Sequence, residues 1–439
     1  MTNYFRALWY LYGLIKRAYW PPDKLEDYRN KKLRRIVHYA YDHVSFYHDK
    51  FEEQGVKPSD IRTAADLSKL FILRKDDVRN NLNRMISSEY DMAHLRRFNT
   101  SGSTGKPLNF YISKKEDEYR KAKHLRANIS VGQKPRDKWV VISSQVHVIE
   151  AKGLQKMMGI YTPTPVVVFN DIQTQISTLE KLKPDILGGY SSSILLIAKE
   201  MEKRGSLSFR PRFIIGGAEY IGDSSRRFIE EAFGVPLYDQ YAADEMERIA
   251  WQCKEKNGYH IDADSIIVQF VDKSGEEVAP GERGEVVCTS LFNYAMPFIR
   301  YVIGDVAVSS DEQCSCGRTL PLMKLFEGRT DSFIMLSDGR ALSPMAWDAA
   351  MDIFKLQDSI DQYRIVQRKA GLIEFLVKLT SDNTDKETLK RELLMHFRKT
   401  LKIDPDQADI EVEFVDNIPL DKTGKLRKVV SELDRNPLR

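Results

Sequence analysis

The chain runs to 439 residues yet holds only four cysteines. A disulfide scaffold of this length is therefore excluded. There is no dense tract of lysine and arginine, and the net charge is only +4. Neither gives an argument for nucleic acid. No apolar run is long enough to span a bilayer. No small-residue cleavage site follows the first apolar stretch, so a cleavable signal is not expected and the chain reads as cytoplasmic. Repeats and low-complexity tracts are also missing.

What remains is an ordinary globular composition, 42% hydrophobic, with length for roughly two to four domains. Ala7 to Ile15 forms a short aromatic-rich run flanked by Arg6 and by Lys16-Arg17, and Pro21-Pro22 ends it. Such a segment suits weak contact of residues 1–20 with a membrane surface. A helix packed on the protein's own surface is the preferred expectation.

Periodicity predicts helix over residues 24–54, where Leu25, Tyr28, Leu33, Ile36, Val37 and Ala40 recur at helical spacing. A shorter helical stretch is expected over 66–80. From residue 116 to 241, strands alternate with helices: strands over 138–143, 160–168, 185–189, 212–215 and 236–241, helices between. This alternation predicts α/β architecture with mostly parallel sheets. Beyond Asp262 the texture becomes β-rich, and the last hundred residues read as a small α+β domain. The expected division is an extension over 1–22, a large domain over 23–329 and a small mobile one over 330–439.

The densest motif is Thr100-Ser101-Gly102-Ser103-Thr104-Gly105-Lys106-Pro107. Its glycines let the backbone approach a ligand, consecutive N–H groups make an anion-binding concavity, and Lys106 adds charge. It is not a Walker loop, which needs four residues between glycine and Gly-Lys. Four further motifs follow in order: Tyr241-Ala242-Ala243-Asp244-Glu245, Tyr301-Val302-Ile303-Gly304-Asp305, Gly328-Arg329-Thr330-Asp331, and Pro419 through Gly424-Lys425. Together the five resemble the signature of the acyl-adenylate-forming enzymes. Ala242 and Asp244 depart from that family's pattern.

The resemblance implies activation of a carboxylic acid by ATP with magnesium, then acyl transfer. Thr100 to Lys106 would hold the β and γ phosphates, and Glu245 the magnesium ion. Asp305 would accept from the ribose hydroxyls. Gly217-Ala218-Glu219 and Tyr241 would form the adenine site, and Arg329 would reach the ribose or phosphates. Asp331 would be the hinge, and Lys425 would stabilise transition-state charge. Length, the Lys57-Pro58-Ser59-Asp60-Ile61 run and Cys314-Ser315-Cys316-Gly317-Arg318 resemble the phenylacetate–coenzyme A ligase-like branch, which includes capsule-cluster proteins. That branch carries a glycine-rich apolar stretch where this chain has Gln145 and His147. A more polar acid than phenylacetate is therefore expected. Coenzyme A is the first acceptor considered. An amine or hydroxyl in surface-polysaccharide assembly is the second, and a noncatalytic nucleotide-binding relative the third. The oligomeric state is left open.

Cys253, His260, Cys314 and Cys316 offer four soft or borderline donors, the number a closed zinc site requires. Four unrelated residues is the competing explanation.

Overall fold

The computed structural model describes residues 3–100, 108–144, 154–205, 208–329 and 332–433. They fall into two compact units, Met1–Gln133 with Tyr238–Phe326, and Lys134–Leu237 with Glu327–Arg439.

In the first unit the helix Pro22–His43 buries Leu25, Leu33, Ile36, Val37 and Ala40 on one face. The expected continuous helix over 24–54 is instead two helices. Val44 is extended (φ −127°, ψ 105°), and Ser45–Gln54 starts anew. Val44 and Phe46 are both buried in the same core. An unbroken helix would point them about 200° apart, so tertiary packing overrides the local pattern. The expected helix over 66–80 is likewise interrupted. A 3-10 turn, Ala65–Lys69, and a helix, Lys75–Asn80, flank Leu73, which bridges to Tyr301 in parallel. The β-rich part contains antiparallel strands Ile266–Val271, Arg283–Ser290 and Tyr301–Ser310. It also contains the antiparallel run Leu237–Ala243, Glu247–Trp251 and Tyr259–Ile261.

In the second unit four parallel strands lie in the order Phe213–Gly217, Ile186–Tyr190, Trp139–Ser143, Pro163–Val167. Side chains of the first three are largely buried, as in sheets covered on both faces, while the edge strand Pro163–Val167 is partly exposed. Helices Ile172–Leu182, Ser191–Arg204 and Asp223–Phe233 supply apolar residues to the same core. The strand expected from residue 160 starts only at Pro163, because Tyr161 takes a left-handed conformation (φ 48°) and donates its N–H to Pro135 O. Within this unit, residues 334–429 enclose a separate core around Trp347, Ile365, Phe375, Leu393 and Phe397. The hairpin Ile360–Lys369/Leu372–Leu379 is flanked in parallel by Val429–Ser431 and Asp409–Phe414, and the helix Lys386–Leu401 contributes to the core. The architecture is thus mixed α/β: parallel strands, a β-rich region and a small α+β segment.

Candidate active site

Two five-residue motifs in the first unit have the same layout, tyrosine first and acid last. The fold locks them crosswise. Tyr241 ends up beside the acid of the other motif and donates from Oη to Asp305 Oδ2 at 2.7 Å. Tyr301 donates from Oη to Glu245 Oε1 at 2.6 Å. All four side chains are buried. Buried carboxylates need hydrogen-bond donors, and phenols provide them without adding a countercharge.

The turn that carries Glu245 is held from behind. Arg120 donates to Asp244 O (2.7 Å) and Glu245 O (3.4 Å), and Asn293 Nδ2 donates to Glu245 O (3.1 Å). Lys123 reaches Met246 O at 3.3 Å. Arg120 and Lys123 lie on the helix Lys114–Val131, which Ser113 caps reciprocally with Glu116. Sequence reasoning missed Arg120, Asn293 and Lys123; the one available signal is cations within an otherwise buried helix. Burial lowers Lys123 to about 8 and also lowers Arg120.

The same Arg120 guanidinium lies 5.4 Å from the Phe98 ring centroid and 5.7 Å from that of Phe110. These two rings stack across the hairpin Arg96–Asn99/Asn109–Ile112. At the hairpin's end Thr100 N donates to Leu108 O (2.9 Å), and Leu108 N donates to Thr100 Oγ1 (3.1 Å). That clasp ties Thr100 to Leu108. Ser101, Gly102, Ser103, Thr104, Gly105 and Lys106 themselves lie outside the described residues, as do Gln145, His147 and Asp331.

In the second unit the strand Phe213–Gly217 leads into Ala218, which holds a left-handed φ of 66°. A non-glycine residue there carries strain of the kind found at ligand sites. Glu219 follows and accepts from Ser192 N at 2.9 Å, at the start of the helix Ser191–Arg204, where negative charge is favoured. Burial pushes the Glu219 carboxyl up, with the Ser192 bond and Lys425 opposing.

Lys425 sits on a turn built by one carboxylate. Asp421 Oδ1 accepts from Thr423 N (2.8 Å), Thr423 Oγ1 (2.6 Å) and Lys425 N (3.0 Å). Gly424 has φ 85°, and a Cβ there would lie 2.3 Å from Val168 Cγ1. Only glycine fits both demands. Leu426 N donates to Ser192 Oγ (3.4 Å), and Lys425 Nζ lies 5.5 Å from the Tyr190 ring centroid. Lys425, Glu219, Tyr190 and Ser192 thus form one polar cluster. Arg329 ends the strand Leu322–Arg329, half-buried.

The predicted metal ligands also converge. Antiparallel pairing sets Trp251 opposite His260, and His260 opposite Leu322. This brings Cys253 and the Cys314–Cys316 loop to His260. The four ligand atoms all lie within 4.8 Å of one another. Cys253 Sγ is 3.6 Å from Cys314 Sγ, and Cys316 Sγ is 3.3 Å from His260 Nε2. Tetrahedral zinc with bonds near 2.3 Å sets sulfurs about 3.8 Å apart, so the donor set fits that ion. Burial pushes His260 down to about 4 and so keeps its imidazole in the neutral, ligating form. Cys288 is buried apart from this group.

No family model matches the chain. Among curated proteins it is 27% identical to a phenylacetate-coenzyme A ligase of Thermus thermophilus, covering 81% of this chain and 80% of that one. It is 27% identical to the phenylacetate-coenzyme A ligase of Escherichia coli, with 81% and 82% covered. It is 25% identical to the protein CapK of Staphylococcus aureus, with 93% and 90% covered. Among solved structures, 2-hydroxyisobutyryl-CoA ligase in its postadenylation state with an acyl-AMP shares the fold at a TM-score of 0.79. Identity is 21%, and 95% of this chain and 91% of that chain are covered. An anthranilate CoA ligase in complex with anthranoyl-AMP follows at 0.57, with 15% identity and 78% and 67% covered. The chain thus shares the mixed α/β fold of these CoA ligases. In sequence the chain is similar over most of its length to phenylacetate-coenzyme A ligases and to CapK.

Proposed function

We propose that this protein is an AMP-forming acid ligase: it activates a carboxylic acid with ATP and passes the acyl group to coenzyme A. The crosswise Tyr241–Asp305 and Tyr301–Glu245 pairing carries this reading. In the first step a substrate carboxylate oxygen attacks the α-phosphorus of ATP, the α–β bridging bond breaks, and pyrophosphate leaves. In the second step a thiolate attacks the acyl carbonyl, and AMP leaves with the electron pair of the broken bond. Asp305 accepts from the ribose hydroxyls, since one carboxylate can take two bonds at once. Glu245 supplies the carboxylate for magnesium, which prefers one or two carboxylates plus substrate phosphates. When bound, that ion neutralises charge on the phosphates. Thr100 to Lys106 hold the β and γ phosphates, Gly217, Ala218, Glu219 and Tyr241 border the adenine, and Arg329 reaches the ribose or phosphates. Lys425 stabilises negative charge in the adenylation transition state.

Residues 330–439 act in this reading as a lid turning about Asp331, and 23–329 as the adenylating part. The separate core within 334–429 supports a lid able to move as a body. Gln145 and His147 make the acid site more polar than one for phenylacetate. Similarity to CapK supports a second reading: the same adenylation with transfer to an amine or hydroxyl instead of coenzyme A. Cys253, His260, Cys314 and Cys316 hold a structural zinc ion that ties the loops of the first unit together.

A panel of carboxylic acids in ATP–pyrophosphate exchange tests the function. One or more polar acids should support exchange well above phenylacetate, and adding coenzyme A should then give AMP and a thioester. Phenylacetate as the best substrate would overturn the pocket assignment. AMP released only when an amine or hydroxyl acceptor is added would favour the second reading. Purified protein should contain about one zinc per chain, and Cys316→Ser should lower both zinc content and melting temperature. A zinc-free wild type whose stability a chelator does not change would remove the zinc assignment.

A further inference from the structure

The helix Tyr4–Arg17 is the least explained element of the first unit. Its inner face is firmly anchored. Leu11 and Leu14 are buried with Ala122, against Tyr119, Leu125 and Ile129 of the helix Lys114–Val131. Asn3 N donates to Glu118 Oε1 (2.6 Å), Arg6 pairs with Glu118 (2.5 Å), and Arg17 pairs with Asp264 (2.8 Å). Arg126 donates to Leu14 O at 3.1 Å. This helix is therefore a fixed part of the surface.

Its outer face is what such a fixed helix would normally fill with charge. Instead Phe5 is 89% exposed, Leu8 56%, Trp9 70% and Tyr12 59%. These positions follow i, i+3, i+4, i+7, so they form one stripe about 10 Å long. Tyr19, half exposed at 50%, follows just beyond the helix. Of the five exposed large aromatics among the described residues, four are these: Phe5, Trp9, Tyr12 and Tyr19. The patch is thus a local concentration, not the scatter expected of any surface.

Two observations select the occupant. The first is charge: residues 1–22 contain no aspartate or glutamate, and Lys16, unlike Arg6 and Arg17 with their ion pairs to Glu118 and Asp264, is exposed beside the stripe. Lys16 continues the stripe at i+11, exposed, with Nζ 4.4 Å from the Tyr12 ring centroid. A protein groove would be expected to draw on mixed charge, whereas an acid-free segment complements an anionic surface. The second is ring chemistry. Tryptophan and tyrosine rings with a polar handle settle at the level of lipid headgroups, and a neighbouring lysine extends toward phosphates.

We infer that the Phe5–Leu8–Trp9–Tyr12 stripe, with Lys16 beside it, docks this protein reversibly on an anionic lipid surface. The helix lies in the interface plane and does not cross it; no helix of the described residues is long and apolar enough to cross a membrane. One short helix gives weak, salt-sensitive attachment. This role is independent of the proposed adenylation chemistry, since none of these residues belongs to that site.

The test is sedimentation of the full chain with vesicles of phosphatidylcholine alone or mixed with phosphatidylglycerol. Wild type should sediment with the anionic vesicles and much less with the neutral ones. The triple change Leu8→Ser, Trp9→Ser, Tyr12→Ser should weaken anionic binding roughly tenfold or more. Melting temperature and pyrophosphate exchange should be unchanged, because these side chains face solvent. Lys16→Glu should erase the preference for anionic over neutral vesicles. Wild type that ignores both vesicle types, or a triple variant that binds as wild type does, overturns the inference. So does wild type that is dimeric by light scattering while the triple variant is monomeric, because a second copy would then cover the stripe.

Discussion

The two proposed sets of reactive groups are held in opposite ways. In the first unit, Asp305 is buried on a strand and Glu245 on a turn, each fixed by the phenol of the other's motif. In the second, Lys425 is half-buried on a turn fixed by its own neighbour, Asp421. The acids depend on long-range packing, so disturbing their partners should cost stability as well as rate. The lysine rides on the turn 421–425, whose hydrogen bonds to Asp421 do not use its side chain, so removing that side chain should cost rate almost alone.

Lys425→Ala should break the comparison most visibly. Adenylation should fall on the order of a hundredfold or more, with ATP affinity and melting temperature little changed. Thioester formation from chemically prepared acyl-adenylate should persist. Equal loss in both half-reactions would make Lys425 a structural residue.

Tyr301→Phe should show the opposite signature. It strands Glu245 beside a hydrocarbon edge, a loss of about 1–3 kcal/mol in stability for a buried group without its donor. Adenylation should fall too, because the carboxylate loses its fixed orientation. Thermal unfolding and exchange rates measured together decide. Unchanged stability would mean that the phenol bond contributes little.

The smallest effect concerns pH. Burial raises the folded-state pKa of Glu219 above its ordinary 4.5. The stability it contributes is complete below that ordinary value and is lost as pH rises through the raised one. Glu219→Gln cannot ionise, so its melting temperature should gain on wild type as pH climbs from about 4 toward neutrality. A constant difference between the two proteins across that range would place Glu219 in water.

The motifs were legible because each is local: glycine, hydroxyl and charge within a few consecutive residues. The alternation of strands and helices was legible for the same reason. Their crosswise union was not, since Tyr241 and Asp305 are 64 residues apart and only the tertiary fold brings them together. Asn293 was invisible because it grips a backbone carbonyl, which carries no sequence signal. The break at Val44 escaped periodicity because Leu33, Ile36, Val37 and Ala40 continue the helical pattern right up to it, while the core takes Val44 and Phe46 on one side. The Cys253, His260, Cys314 and Cys316 set was legible from residue type, although its convergence depended on a register that only the fold supplies.

The most direct measurement of the central claim is ATP–pyrophosphate exchange across the acid panel for wild type, Glu245→Gln and Lys425→Ala side by side. The account predicts exchange that depends on the acid and on magnesium in wild type, reduced on the order of a hundredfold or more in each variant. Wild type that exchanges with no acid in the panel while still binding ATP would contradict it, leaving a nucleotide-binding protein without the chemistry.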